Sequence, residues 1–241
     1  MLKFCLICDT EGFISLRQGH PAWSAFQMLK LKLNNLIKNI RYDKNSFQKV
    51  YNIILENEFP ITFMLVGKLF KPIPGSPDFI EWGYHSYSHL PLILVDDDTL
   101  KKEVRNIYNC KSFCAPMWMT EDAKNPDRIF KELEKEGYKK VVYLGKHFDL
   151  ITENFRGVYK PKKREKLTLV HISYTFDGNS SRRHLGRIIQ DVKNNVGRDA
   201  VYCLSMHDFT HRNTQNLQTI INFTRKLEKE GKLKILNLRD I

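Results

Sequence analysis

Two histidines four residues apart, in the run His85-Ser86-Tyr87-Ser88-His89, carry the sharpest chemical signal in this chain. Two imidazoles can share one ion only if the backbone between them turns. In a strand, four residues span about 13 Å. On a helix the pair shares a face about 6 Å apart, which suits two Zn–N bonds of about 2.0–2.1 Å. The spacing therefore predicts a helical turn beginning at His85. An open, catalytic zinc site takes a third protein ligand, commonly a carboxylate, and keeps a position for water. Asp9 and Glu11, in the acidic turn Asp9-Thr10-Glu11-Gly12, are the candidates. Two acids at this spacing can divide labour, one binding the ion and the other taking a proton, and the spacing permits either assignment. His207-Asp208 brings a third imidazole and a third acid to the end of another apolar run.

These residues sit where strands must end. Leu2 to Cys8 reads as a buried strand, and Ile61 to Gly67, Phe79 to Tyr84, Ser112 to Ala115, Val141 to Gly145, Leu167 to Ser173, Val201 to Ser205 and Lys234 to Leu238 read likewise. Between them the apolar spacing is helical: two helices within Trp23 to Glu58, then Thr99 to Tyr108, Pro126 to Glu136, Ser181 to Asn194 and Asn213 to Glu230. Buried strands alternating with amphipathic helices argue for a parallel sheet. About seven such units favour a closed barrel, with Asp9, His85 and His207 at its C-terminal rim. No linker divides the chain, so residues 1–241 are expected to form a single domain.

Composition narrows the classes. The chain has 241 residues, 42% hydrophobic and 12% aromatic, enough for a sizeable core. No apolar stretch reaches the length of a membrane span. No secretion signal is read at the N-terminus, so a cytoplasmic protein is expected. The net charge of +12 favours acidic partners. Its one dense run, Lys160 to Lys166, reads as a solvated loop before a strand. Cys5 and Cys8 have opposite parity on one strand, which makes them buried thiols rather than zinc ligands. No phosphate-cradling GxxxxGK[ST] and no GxSxG elbow is present, so nucleotide and serine-hydrolase mechanisms lose support.

In this order along the chain, the sequence resembles the polysaccharide deacetylases (carbohydrate esterase family 4, the NodB-homology domain). LICDTEG looks like the first motif with Asp-x-Glu in place of adjacent aspartates, HSYSH is similar to the metal motif, and FCAPMW and CLSMHD resemble the third and fifth. The resemblance implies a deformed (β/α) barrel of about seven parallel strands, holding one divalent ion, usually zinc. Glu11, His85 and His89 are the implied ligands, Asp9 the general base and His207 the general acid. The implied reaction removes an acetyl or similar acyl group from an amide nitrogen of an N-acylated sugar or glycan, anionic or lipid-linked, and nucleic acid is not an expected partner. Cys114 stands where the family carries an Arg that orients the catalytic Asp, and a neutral thiol cannot make that charge-assisted bond. Lys111, another cation or a changed geometry must substitute, or activity is weak or lost. His171 and Asp177 are the candidates for the fourth motif. Two other readings stand beside this one: a non-catalytic barrel that holds a polyanion, and a related C–N hydrolase acting on a small non-sugar amide.

Overall fold

Leu2, Phe4, Leu6 and Cys8 alternate with Cys5, Ile7 and Asp9 along the first strand, and both sets are buried. A strand buried on both faces belongs inside a parallel sheet covered on both sides. The computed structural model puts it there; it describes residues 1–11, 45–118, 120, 125, 127–143, 157–176, 182–208 and 214–241. Strand β1 (Leu2–Thr10) lies between β2 (Ile61–Leu65) and β9 (Val201–His207). The remaining strands are β3 (Ile80–Tyr84), β4 (Ser112–Cys114), β5 (Lys140–Tyr143), β6 (Lys162–Arg164), β7 (Leu167–His171), β8 (Tyr174–Thr175) and β10 (Leu233–Leu236).

The strand order is β6-β7-β5-β4-β3-β2-β1-β9-β8, with β10 beside the first half of β1. Among the described residues every pairing of these strands is parallel except that of β6 with β7, and an isolated antiparallel bridge joins Tyr159 to Val201. β7 and β8 stand towards opposite ends of this order, yet two residues separate them. The sheet therefore curls until both edges meet on one segment. The Ile172 N–H donates to Tyr143 O at 3.2 Å on one side, and the Ser173 N–H to Cys203 O at 2.8 Å on the other. With β7 and β8 as one bent stave, β1 to β5 and β9 complete a deformed barrel of seven parallel staves, as expected.

Period-two alternation then sorts the side chains. Cys5, Ile7, Met64, Cys114, Val142 and Cys203 fill the barrel interior. The opposite parity, including Phe4, Cys8, Phe63, Tyr202 and Leu204, faces helices α1 (Ser46–Glu56), α4 (Arg182–Asn195) and α5 (Gln215–Lys229). Helices α2 (Asp97–Val104) and α3 (Arg128–Lys135) cover β3 to β5 through Leu100, Val104, Ile129, Phe130 and Leu133. Each such fully buried aliphatic side chain contributes about 1.5–3 kcal/mol. All five cysteines are free and buried, with Cys5 inside and Cys8 outside, as their parity requires.

A polar plug closes the end of the barrel opposite the expected site. The buried Glu81 carboxylate accepts from Thr62 Oγ1 at 2.8 Å, Ser112 Oγ at 2.5 Å and the Arg239 N–H at 2.8 Å. The charge run differs from expectation: Lys162–Arg164 forms β6, antiparallel to β7 across a turn at Glu165, whose φ is +46°. The run is nonetheless solvated, with Lys160, Lys162, Lys163, Glu165 and Lys166 exposed; Lys163 bonds Thr168 at 2.8 Å, and Arg164 meets Asp127 and, 4.7 Å away, the ring of Phe130. Helix α2 also ends before Tyr108, where Asn106 exchanges two 2.8 Å bonds with the backbone of Cys110. The first helix expected within Trp23 to Glu58 lies outside the described residues. Among the described residues no helix is long and apolar enough to cross a membrane.

Candidate metal centre

Parity and direction bring the chemistry together. Asp9 and Glu11 continue the inward-facing set of Cys5 and Ile7; His207 continues that of Val201 and Cys203. Parallel strands end on the same rim, and Asp9 is in register with His207. His85 follows β3 directly, two residues after Gly83. A Cβ at Gly83 would lie 2.5 Å from Met64 Sδ and 3.2 Å from the Ser112 carbonyl oxygen, so the interior has no room there for a side chain.

The result is a carboxylate oxygen ringed by imidazoles. Glu11 Oε1 lies 3.0 Å from His89 Nε2, 3.3 Å from His85 Nε2 and 3.7 Å from His207 Nε2. Asp9 is buried beside them; Ser205 Oγ donates to its Oδ2 at 3.4 Å, while Oδ1 makes no hydrogen bond. Ligand-type atoms of Glu11, His85 and His89 fall within 4.8 Å of one another, as do those of Asp9, Glu11 and His207, and of Asp9, His85 and Cys114. All five residues expected from the sequence thus meet at one place.

The two histidines do not meet on a helix. The run is tied to its neighbours instead: the His85 N–H donates to Leu65 O at 2.7 Å and the Tyr87 N–H to Glu103 O at 2.8 Å. Ser86 and His89 instead take left-handed φ values of +65° and +63° and fold the run back on itself. The rings end 4.9 Å apart, and the His89 N–H donates to Ser86 Oγ at 3.0 Å. Ser88 gives its N–H and hydroxyl to the Glu103 carboxylate.

Electrostatics separates the two acids. Burial pushes the Asp9 carboxyl above the usual carboxylate range, against the pull of His85 and His207. Burial acts the same way on Glu11, but the imidazoles of His89, His207 and His85 outweigh it and hold that carboxyl well below its usual range. Burial lowers His85, and the Asp9 and Glu11 carboxylates more than reverse it.

A divalent ion fits this donor set. His89 Nε2 is buried and, though 3.0 Å from Glu11 Oε1, lacks the geometry of a hydrogen bond. His85 Nδ1 bonds the Cys114 carbonyl oxygen at 2.8 Å, so it carries a proton, and Nε2, 3.3 Å from Glu11 Oε1, is the ring nitrogen that faces the carboxylate. One carboxylate and two imidazoles is a zinc-type set.

Other expectations resolve differently. Lys111 is exposed, and its ammonium donates to Asn109 Oδ1 at 3.2 Å rather than to an acid of the centre. The Cys114 thiol lies buried beside Asp9 and His85, and burial and the Asp9 carboxylate push it well above its usual range. His171 stacks on Tyr159, centroids 3.9 Å apart, and its Nδ1 lies 2.6 Å from Ile172 O, while Asp177 lies outside the described residues. Asp208 anchors the centre: its Oδ1 accepts the Glu11 N–H at 3.1 Å, and its backbone oxygen accepts from Ser46 Oγ. Glu103, on α2, carries no sequence signal at all. At the rim, the Trp118 ring lies 6.4 Å from that of His207, and Tyr87 is 42% exposed.

No protein-family model and no curated protein matches the sequence. Solved structures match the fold. An allantoinase aligns with 99% of this chain and 88% of its own at 12% identity and a TM-score of 0.56. A branching enzyme from Pyrococcus horikoshii aligns with 100% and 69% at 9% identity and 0.55. A peptidoglycan N-acetylglucosamine deacetylase aligns with 99% and 86% at 14% identity and 0.50. The chain has the barrel fold these enzymes share.

Proposed function

We propose that the chain is a metal-dependent amide hydrolase that removes an acetyl or similar acyl group from the nitrogen of an N-acylated sugar or glycan. The observation that carries this reading is the ring of His85, His89 and His207 around Glu11 with Asp9 beside it. Glu11, His85 and His89 would hold a divalent ion, taken here as Zn²⁺, which supplies Lewis acidity toward the amide carbonyl and the attacking water.

The chain's own groups do the rest. Asp9 takes a proton from water at Oδ1, the carboxylate oxygen with no other bond. The water oxygen bonds to the acyl carbon as the carbonyl becomes an oxyanion, and the backbone N–H of Met117, in the turn after Cys114, is the proposed donor to it. His207 gives its proton to the amide nitrogen as the C–N bond breaks, releasing amine and carboxylate. His207 Nε2 lies 3.7 Å from Glu11 Oε1, on the same side of the centre. Trp118 and Tyr87 offer apolar faces at the rim for a sugar ring. A cytoplasmic setting, with the cysteines reduced, belongs to the same reading.

A second reading, a C–N hydrolase acting on a small non-sugar amide, draws support from the allantoinase likeness. Acetate release from N-acetylated chito-oligosaccharides by zinc-loaded protein tests the first, and hydrolysis of a small cyclic ureide the second. Zinc-loaded protein inert toward both, with oligosaccharide still bound, would leave a non-catalytic barrel.

A further inference from the structure

We propose that the barrel holds a second, overlapping metal position, built from Asp9, His85 and Cys114, that takes thiophilic ions such as Cd²⁺ or Co²⁺ through sulfur. A carboxylate oxygen of Asp9, a ring nitrogen of His85 and Cys114 Sγ lie within 4.8 Å of one another, and all three residues are buried. The cysteine does not stand alone. Asp9 Oδ1 is a buried oxygen with no hydrogen bond, and His85 sits against both sets, its Nδ1 2.8 Å from the Cys114 carbonyl oxygen and its Nε2 3.3 Å from Glu11 Oε1. One thiolate, one imidazole and one carboxylate form a softer set than Glu11, His85 and His89, so ions divide between the positions by their affinity for sulfur.

His85 belongs to both sets, so they cannot fill together. As the metal–sulfur bond forms, the Cys114 S–H bond breaks and its proton leaves to solvent. An ion here also occupies the carboxylate that the proposed hydrolysis uses as its base. The inference rests on that reading only in taking His85 to face a metal.

The test is titration of metal-free, reduced protein with Co²⁺, read by the near-ultraviolet thiolate-to-cobalt absorption and by bound cobalt. Wild type is expected to show the band, His89→Ala to keep it, and both Cys114→Ser and Cys114→Ala to lose it while still binding one cobalt. Cobalt bound by wild type without the band overturns this position and leaves the Glu11, His85 and His89 site standing. A band that persists in both Cys114 variants assigns the sulfur to another cysteine and also overturns it. Band and occupancy unaltered in His89→Ala, with no cobalt bound in the Cys114 variants, support the sulfur position and overturn the other. No binding by wild type overturns both.

Discussion

Ser88 gives its backbone N–H to one carboxylate oxygen of Glu103 at 2.9 Å and its hydroxyl to the other, which pins the residue next to His89 to helix α2. The Glu103 backbone oxygen also accepts the Tyr87 N–H. One helical residue thus holds the strained turn that aims both imidazoles, although it touches neither. Loss of such an outer partner typically costs 10- to 100-fold in metal affinity. Glu103→Ala is therefore expected to weaken Zn²⁺ binding by about that factor, and Glu103→Gln by less. Calorimetric titration with zinc checks this, and an unchanged affinity in Glu103→Ala would mean that the turn holds itself.

The start of the same helix carries a pH-dependent term. Asp96 Oδ1 accepts the Thr99 N–H at 2.7 Å, and this bond, with that from the Thr99 hydroxyl, holds the Asp96 carboxyl below its usual range. A depressed carboxyl stabilises the fold above its unfolded pKa, and the contribution is lost as pH falls through the folded value. Asp96→Ala is expected to lower Tm by about 2–4 °C at neutral pH. The gap should close below about pH 4. Thermal unfolding of both proteins across pH decides it; a gap that is constant with pH would remove the charge from the explanation.

How much of this was legible in the sequence depends on what fixes each feature. The inward set Cys5, Ile7, Asp9 and Glu11 follows from strand parity alone, as does the separation of Cys5 from Cys8. Closure of the barrel is less visible, because the strand read at Leu167 to Ser173 stops short of β8, and only the turn at Ile172 and Ser173 shares this segment between two neighbours. Lys162–Arg164 is a strand because β7 pairs with it, not through any propensity of its own. The HSYSH run misleads for a different reason. The four-residue spacing of the histidines fits a helical turn, but Ser86 and His89 take left-handed φ and the His89 N–H, which a helix would give to the His85 carbonyl, goes to Ser86 Oγ.

Barrel packing makes its own prediction at Gly83, where an added Cβ would stand 2.5 Å from Met64 Sδ. Gly83→Ala is expected to cost about 1–3 kcal/mol through overpacking. Met64 can yield, because its sulfur is the far part of a flexible side chain, whereas the Ser112 carbonyl oxygen at 3.2 Å cannot. Met64→Ala should therefore recover part of the loss in the double variant. Denaturant unfolding of the four proteins gives the coupling, and strictly additive losses would place the strain on the backbone contact instead.

The division of labour between the two acids is the most direct test of the proposed chemistry. Glu11 faces three imidazole nitrogens within 3.7 Å, the setting of a ligand, whereas Asp9 lies deeper with one carboxylate oxygen unbonded, the setting of a base. Glu11→Gln removes a charged bond to the ion, so zinc content and hydrolysis should fall together. Asp9→Asn leaves Glu11, His85 and His89 intact but cannot accept a proton, so zinc should remain while turnover drops about 10²- to 10⁴-fold. His207→Ala should likewise keep zinc, and its deficit should shrink for a substrate whose leaving amine needs little help from an acid. Zinc content and kcat measured on the same preparations separate these cases. Zinc lost from Asp9→Asn but kept in Glu11→Gln would exchange the two roles, and full turnover in both variants would end the case for a hydrolase.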